Sequence, residues 1–209
     1  MKKNTIKFII CFISAVAVFI GSIYYSKKAV SPGEIIDVCR ATANIEEGTV
    51  IDNNNINDLF EVKSISEKEV VESYVVDKNE LLNKRVTSEI LQNETISMKR
   101  FQSIDDILSK IEKPVDVSIK FSDPGQVVGG VIRQGDFVKI SLIDSVSGDA
   151  KELLNNVYVK KALASDMTEL TRNSKGAALT LIFTMDQKDE TKLNSNIENG
   201  TVRISKVLE

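Results

Sequence analysis

The sequence predicts a mainly β chain with a few short helices, behind an N-terminal single transmembrane helix, and divided into two small β-rich units, the second of α+β type. Three observations carry this reading. An uncharged run extends from Phe8 to Tyr25. A turn pattern with identical internal spacing occurs twice, as Ile45-Glu46-Glu47-Gly48-Thr49-Val50-Ile51 and as Ile90-Leu91-Gln92-Asn93-Glu94-Thr95-Ile96. Apolar and polar residues then alternate through Val115–Phe121 and again near the C-terminus, which is the period of a half-buried strand.

The uncharged run is about 18 residues long, near the length that crosses a bilayer. Lys2, Lys3 and Lys7 precede it and Lys27 and Lys28 follow. The charge balance favours a cytoplasmic amino terminus, a single-pass plasma-membrane anchor through Phe8, Ile13, Val18 and Tyr25, and an extracytoplasmic bulk. The competing reading is a cleaved signal peptide. Its small-x-small candidate, Ala15-Val16-Ala17, lies inside the apolar run rather than after it. Cys11 lies within the run, which leaves Cys39 as a lone thiol beyond it.

Residues 1–28 are thus read as cytoplasmic tip and anchor, and 29–39 as a spacer containing Ser31-Pro32-Gly33. The first folded unit spans 40–101. Val38–Ala43 reads as a strand entering the first corner, whose centre is Gly48; the second corner is centred on Asn93. Gly and Asn are the residues that take positive φ at low cost. Between the corners lie the polar loop Asp52-Asn53-Asn54-Asn55, an edge strand at Phe60–Lys63, and a turn of helix over Ser66–Ser73 capped by Ser66. The polar loop superficially resembles a calcium loop, but Ile56 stands where an oxygen ligand is needed and the required glycine is missing.

A linker over 102–113 carries helical turns at Asp105–Leu108. The second unit, 114–209, opens with the strand Val115–Phe121 and the turn Asp123-Pro124-Gly125. The chain then runs through Gly129-Gly130 and Gly135-Asp136 into a strand at Phe137–Ile143. Further strands are read at Val157–Leu163 and Ala177–Met185. Asp186 caps a helix from Gln187 to Glu198, ended by Asn199-Gly200, and Thr201–Val207 returns as a strand.

Composition narrows the chemistry. The net charge is −3, and the three early lysines leave the remainder more acidic still, which argues against nucleic acid as a partner. There is no histidine, so the usual general base and the commonest metal ligand are missing. The paired acids Glu46-Glu47, Asp105-Asp106 and Asp189-Glu190 sit in turn, linker and helix-start settings that suit solvated charge better than acid–base catalysis. Gly125–Gly135 has no Lys-Ser/Thr after it and opens no helix, so it is not a phosphate loop. No catalytic, cofactor or metal residues are expected. Partner contacts are sought on exposed loops, first at Asp52 and Asn54 and at Asp123 and Gln126.

The order of these parts resembles a known family. Ala43–Ile51, followed by Leu82-Asn83-Lys84-Arg85-Val86 and then Ile90–Ile96, is similar to a SAF domain, a β-clip module. Val115–Phe121 with Val128-Gly129-Gly130-Val131-Ile132-Arg133-Gln134-Gly135-Asp136-Phe137-Val138-Lys139-Ile140 resembles the RcpC/CpaB domain of Flp (Tad) pilus assembly proteins. Two positions depart from the family pattern. Asn93 replaces the usual Gly, and Gln134-Gly135-Asp136-Phe137-Val138-Lys139 replaces Pro-Gly-Asp-x-Val-Asp. The resemblance implies a non-enzymatic envelope component of a pilus or secretion machine. Its partners would be pilus platform or pilin proteins, peptidoglycan, and a secretin in a double-membrane host. A second exported SAF protein type, similar to the flagellar P-ring assembly chaperone, fits if the N-terminal segment is cleaved.

Overall fold

The computed structural model describes residues 2–30, 34–70 and 72–208, without the side chains of 2–11, 28–30 and 69. The chain is mainly β, with 38% strand and 27% helix, and more than half of that helix is one N-terminal element. It divides into a body of 1–37 with 64–70 and a body of 38–63 with 71–209.

In the first body, α1 (Lys2–Val30) is a 29-residue helix with Ile13, Val18 and Tyr25 exposed. Among the described residues, no helix is long and apolar enough to cross a membrane. The side chain of Phe8 and the spacer turn Ser31-Pro32-Gly33 lie outside the described residues, so the expected span rests on the sequence alone. Within the same body the Glu67 N–H donates to the Glu34 carbonyl (2.8 Å), and Ser64 Oγ bonds Asp37 Oδ1 (2.6 Å). The helical turn expected over Ser66–Ser73 is one 3-10 turn, Glu67–Glu69, and Ser66 makes no side-chain cap bond.

The second body is built around two apolar clusters. The first belongs to residues 38–41 of β1 (Ile35–Ala41), β2 (Val50–Ile51), α2 (Ile56–Leu59), residues 60–63 of β3 (Phe60–Ser66), β4 (Lys84–Val86) and β5 (Phe101–Ser103). Strands β1 and β3 pair as a two-stranded sheet, and β2-β4-β5 form a three-stranded one. The four isoleucines that bound the repeated turns, Ile45, Ile51, Ile90 and Ile96, all enter one core with Phe60, Leu81 and Val86. Burying such side chains stabilises a small unit by about 2 kcal/mol each. This is why the turn pattern carries isoleucine at both ends.

The second cluster lies on one face of a five-stranded antiparallel sheet of order β10-β7-β8-β9-β6. Its strands are β6 (Pro114–Lys120), β7 (Phe137–Asp144), β8 (Ala150–Leu163), β9 (Thr180–Asp186) and β10 (Gly200–Lys206). Period-two alternation places Val138, Ile140 and Leu142 of β7 in the core beside Leu181, Phe183 and Met185 of β9. Register shifts interrupt β8 on both sides, opposite Val138–Ser141 and between Val159 and Lys161. Helix α4 (Gln187–Asn194) closes this core with Leu193, and Asp186 accepts from the Lys188 N–H (3.0 Å) as its N-cap. The helix stops four residues short of Glu198. There Ser195 and Asn196 turn their side chains back onto the Lys192 carbonyl, and Ile197 packs from a separate turn.

Within the same body β5 pairs with β4, and α3 (Ile104–Leu108) buries Ile104 and Ile107 against Tyr158. Phe137 joins this third cluster, its ring 5.7 Å from that of Tyr158. Burial pushes the Tyr158 phenol up to about 12.

A corner clip, a buried arginine junction and a polar cleft

The two repeated turns meet. Ile45 N–H donates to the Ile90 carbonyl (2.8 Å), and Ile90 N–H returns the bond to Ile45 (2.9 Å). Ala41 N–H bonds the Glu94 carbonyl (3.0 Å), and Asn93 N–H bonds the Ala41 carbonyl (2.8 Å). Gly48 has φ 79° and Asn93 φ 67°. Asn93 therefore supplies the left-handed corner without glycine, and its carbonyl accepts from Arg40 Nε (2.9 Å).

The first corner abuts the Gly135-Asp136 turn of the second unit. Gly135 has φ 84°, and a Cβ there would overlap the Gly48 carbonyl oxygen and press on Val50 Cγ2. A Cβ on Gly48 would in turn overlap the Arg172 guanidinium. The glycine at 135 is what lets these backbones approach so closely.

Three arginines hold the junction. Arg85 donates from Nε to the Gly135 carbonyl (2.7 Å), lies over the Phe137 ring (5.2 Å), and faces Glu47 at 3.7 Å. Arg172 donates from Nη2 to Asp136 Oδ1 (2.6 Å) and to the Gln134 carbonyl (3.3 Å). Arg133 is saturated by carbonyls: Nη1 donates to Gly130 and Ile132, Nη2 to Ser174 and Gly176, and Nε to Thr171. It thereby fastens the 171–176 loop, which carries Arg172. Burial first, then the neighbouring Arg172, hold the Arg133 guanidinium below its ordinary value, with Asp136 opposing. Asp136 is only 2% exposed, and it also accepts from the Arg133 N–H (2.8 Å) and faces Lys206 Nζ (3.0 Å). A buried carboxylate needs such compensation.

Beside the junction runs a cleft of about 600 Å³, bordered by Glu46, Asp52, Asn54, Asp58, Gln134 and Arg172 among others. Of the loop residues singled out in the sequence, Asp52 and Asn54 lie on this cleft. Asp52 Oδ1 accepts from the Asn54 and Asn55 N–H groups, which fixes its orientation. Asp123 and Gln126 do not line it. They form a reciprocal capping box, with Asp123 accepting from the Gly125 N–H and Gln126 Oε1 from the Asp123 N–H. Gly129 (φ 67°) has open space around its Cα.

A second cavity of about 400 Å³ lies among α3, the Asn155-Asn156 segment of β8 and the start of α4. Among the described residues, no three His, Cys, Asp or Glu side chains converge to hold a metal ion. Cys39 is fully buried, and burial pushes its thiol up to about 11. That is the opposite of an activated nucleophile.

Arg85, Arg133 and Arg172 are the residues that sequence reading missed. Arg133 and Arg85 stand inside the motifs already quoted, so their place was visible although their partners were not. Arg172 has no local signal at all. Compared with known proteins, the chain matches no family model, no curated protein and no solved structure.

Proposed function

We propose that the chain is a membrane-anchored, non-enzymatic assembly or scaffold component of a Flp (Tad) type pilus or a related secretion machine. In this reading α1 is the single-pass anchor, the twin-corner unit is a SAF β-clip-like module, and the five-stranded sheet is the RcpC/CpaB-like domain. Both modules stand outside the membrane and bind pilus platform proteins or pilin, with peptidoglycan as a further contact. The observation that carries the proposal is the reciprocal Ile45–Ile90 pairing, which turns two matching sequence motifs into one clip. The chemistry agrees. The buried charged groups Arg85, Arg133 and Asp136 are engaged by internal partners, as a rigid scaffold requires and an acid–base site does not.

The test is an in-frame deletion in the native host. Surface pili should be lost while pilin is still synthesised, and the full chain should restore them; normal piliation of the deletion strain would refute the assignment. Sequencing the mature amino terminus separates the anchored form from the exported chaperone type, which requires a new terminus between Gly21 and Lys28.

A further inference from the structure

The five-stranded sheet ends differently on its two sides. On the β10 side the chain covers itself: Val127 bridges Ile204, and Arg203 Nη1 reaches the Gly125 carbonyl (3.5 Å). Beyond β6 no further strand follows among the described residues. The two ends of the β6–β9 ladder fix which way its backbone groups point. Phe121 N–H donates to the Leu179 carbonyl (2.7 Å) and Gln187 N–H to the Lys113 carbonyl (3.0 Å), and the register between them is unbroken. Odd-numbered residues therefore face β9, and Asp116, Ser118 and Lys120 turn their N–H and C=O groups outward. None of these outward groups has a partner among the described residues. An open edge of this kind is a template for another strand.

The edge is also bounded. Pro114, at one end, has no N–H to give. At the other end the Ser122 N–H already donates to Gln126 Oε1 (3.1 Å). The residues left between them complement themselves in one register. An antiparallel copy of β6 centred on Ser118 sets Ser118 opposite Ser118 and, on either side, Asp116 opposite Lys120. Every outward N–H then meets an outward carbonyl. The side chains match as well. Lys120 is exposed and meets no carboxylate among the described residues. Asp116 is held in place by Lys160 and by Thr184 Oγ1 (2.8 Å), and its oxygens keep lone pairs for another donor. On the core face the half-buried Val115 and Val117 fall opposite Phe121 and Ile119 of the other copy, which prolongs the apolar layer. Moving the centre to Val117 would set Lys120 against Pro114 and lose both charge pairs.

We propose that β6 is a self-pairing edge, through which two copies of this chain join antiparallel into one continuous sheet. The occupant is a second copy because both the open backbone groups and the charges are self-complementary about Ser118, as a two-fold interface requires. This interface goes beyond the scaffold reading and stands or falls without it.

The experiment uses the full chain in detergent micelles with Cys11→Ser, which leaves only the buried Cys39. On mild oxidation Ser118→Cys should crosslink to its own copy, because opposed residues of a hydrogen-bonded pair have Cα atoms about 5.5 Å apart. Lys120→Cys should not, because the two copies of that position lie about 14 Å apart along the strands. Mixing Asp116→Cys chains with Lys120→Cys chains should restore the crosslink between unlike copies. Without oxidant, sedimentation at about 100 μM should show a reversible dimer. Lys120→Glu breaks no bond within the chain but opposes like charges on both sides of the axis, and it should weaken the dimer about tenfold. A monomer in sedimentation with no Ser118→Cys crosslink would overturn the proposal, even where that cysteine captures a different protein. So would equal crosslinking of Ser118→Cys and Lys120→Cys, or a Lys120→Glu chain that dimerises as well as the parent. The two readings fail separately. Normal piliation of the deletion strain beside a register-specific crosslink sinks the pilus role alone; a strain without pili whose protein stays monomeric sinks the edge pairing alone.

Discussion

Gly135 rests against the carbonyl of Gly48 so tightly that it has no room for a methyl group, and Arg85 secures the contact by bonding the Gly135 carbonyl at 2.7 Å. The two motif turns, far apart in sequence, are thereby one structural joint.

Replacing Gly135 with alanine should therefore cost more than replacing Gly129. Both residues have positive φ, worth about 1–2 kcal/mol for any L side chain. Only Gly135→Ala adds a collision with another backbone, worth about 1–3 kcal/mol more. Denaturant unfolding of the two variants should show this gap; equal costs would mean that the joint yields freely.

The Asp136–Arg172 pair should be strongly coupled. Asp136→Asn leaves Arg172 and Lys206 facing a neutral amide and should destabilise by about 3–5 kcal/mol. Arg172→Met should cost less, because Lys206 still faces the carboxylate. The double variant should fall short of the sum by about 1–3 kcal/mol in a mutant cycle. Strict additivity would place the two groups outside one network.

Alkaline pH should weaken the fold in a defined window. The Cys39 thiol rises from 9.0 to about 11 and the Tyr158 phenol from 10.0 to about 12, both through burial. The native state therefore holds these protons when the unfolded chain has released them. Their contribution is complete below pH 9 and is lost progressively as pH climbs through 11 and 12. Denaturation midpoints measured against pH should fall across that range. Tyr158→Phe should flatten the upper part of the fall and remove the latest phenolate absorbance step.

Asp186 should show the opposite sign. Hydrogen bonds from the Lys188 N–H, foremost, and the Lys113 N–H hold its carboxyl below the usual range. Its contribution is present above the ordinary carboxylate value and disappears as pH drops through the depressed one. Amide exchange at Lys188 and Asp189 should quicken in Asp186→Ala and at acid pH in the parent chain. Unchanged exchange would show that α4 does not depend on its cap.

Local pattern was well expressed in the sequence. The alternation in Val115–Phe121 and Phe137–Ile143 is the burial pattern of β6 and β7, and Asp186 marked the start of α4 because its cap is made within two residues. Strand β8 was only half visible. Its first part, Ala150–Asn156, carries Lys151, Glu152, Asn155 and Asn156, so polarity hides a segment that the sheet recruits by pairing with β7. The repeat at Ile45 and Ile90 was legible as a repeat, but nothing local says that the two copies bond each other. The arginine junction was harder still. Arg133 satisfies carbonyls at 171, 174 and 176, and Arg172 reaches back to 136. Such partners are set by topology and leave no periodic trace. Asp123 and Gln126 had looked free for a partner because a capping box spends the same polar residues that a contact loop would display.

The clip has a consequence for biogenesis. Strand β1 hangs its Cys39 N–H on Val75, and the Ile96 N–H returns to the Cys39 carbonyl, so the thiol is sealed only once both later segments have arrived. During synthesis that sulfur stays open until the second corner has been made. Sulfhydryl labelling of chains as they are synthesised would then serve as a clock for closure, with the label shut out at the moment the two corners lock.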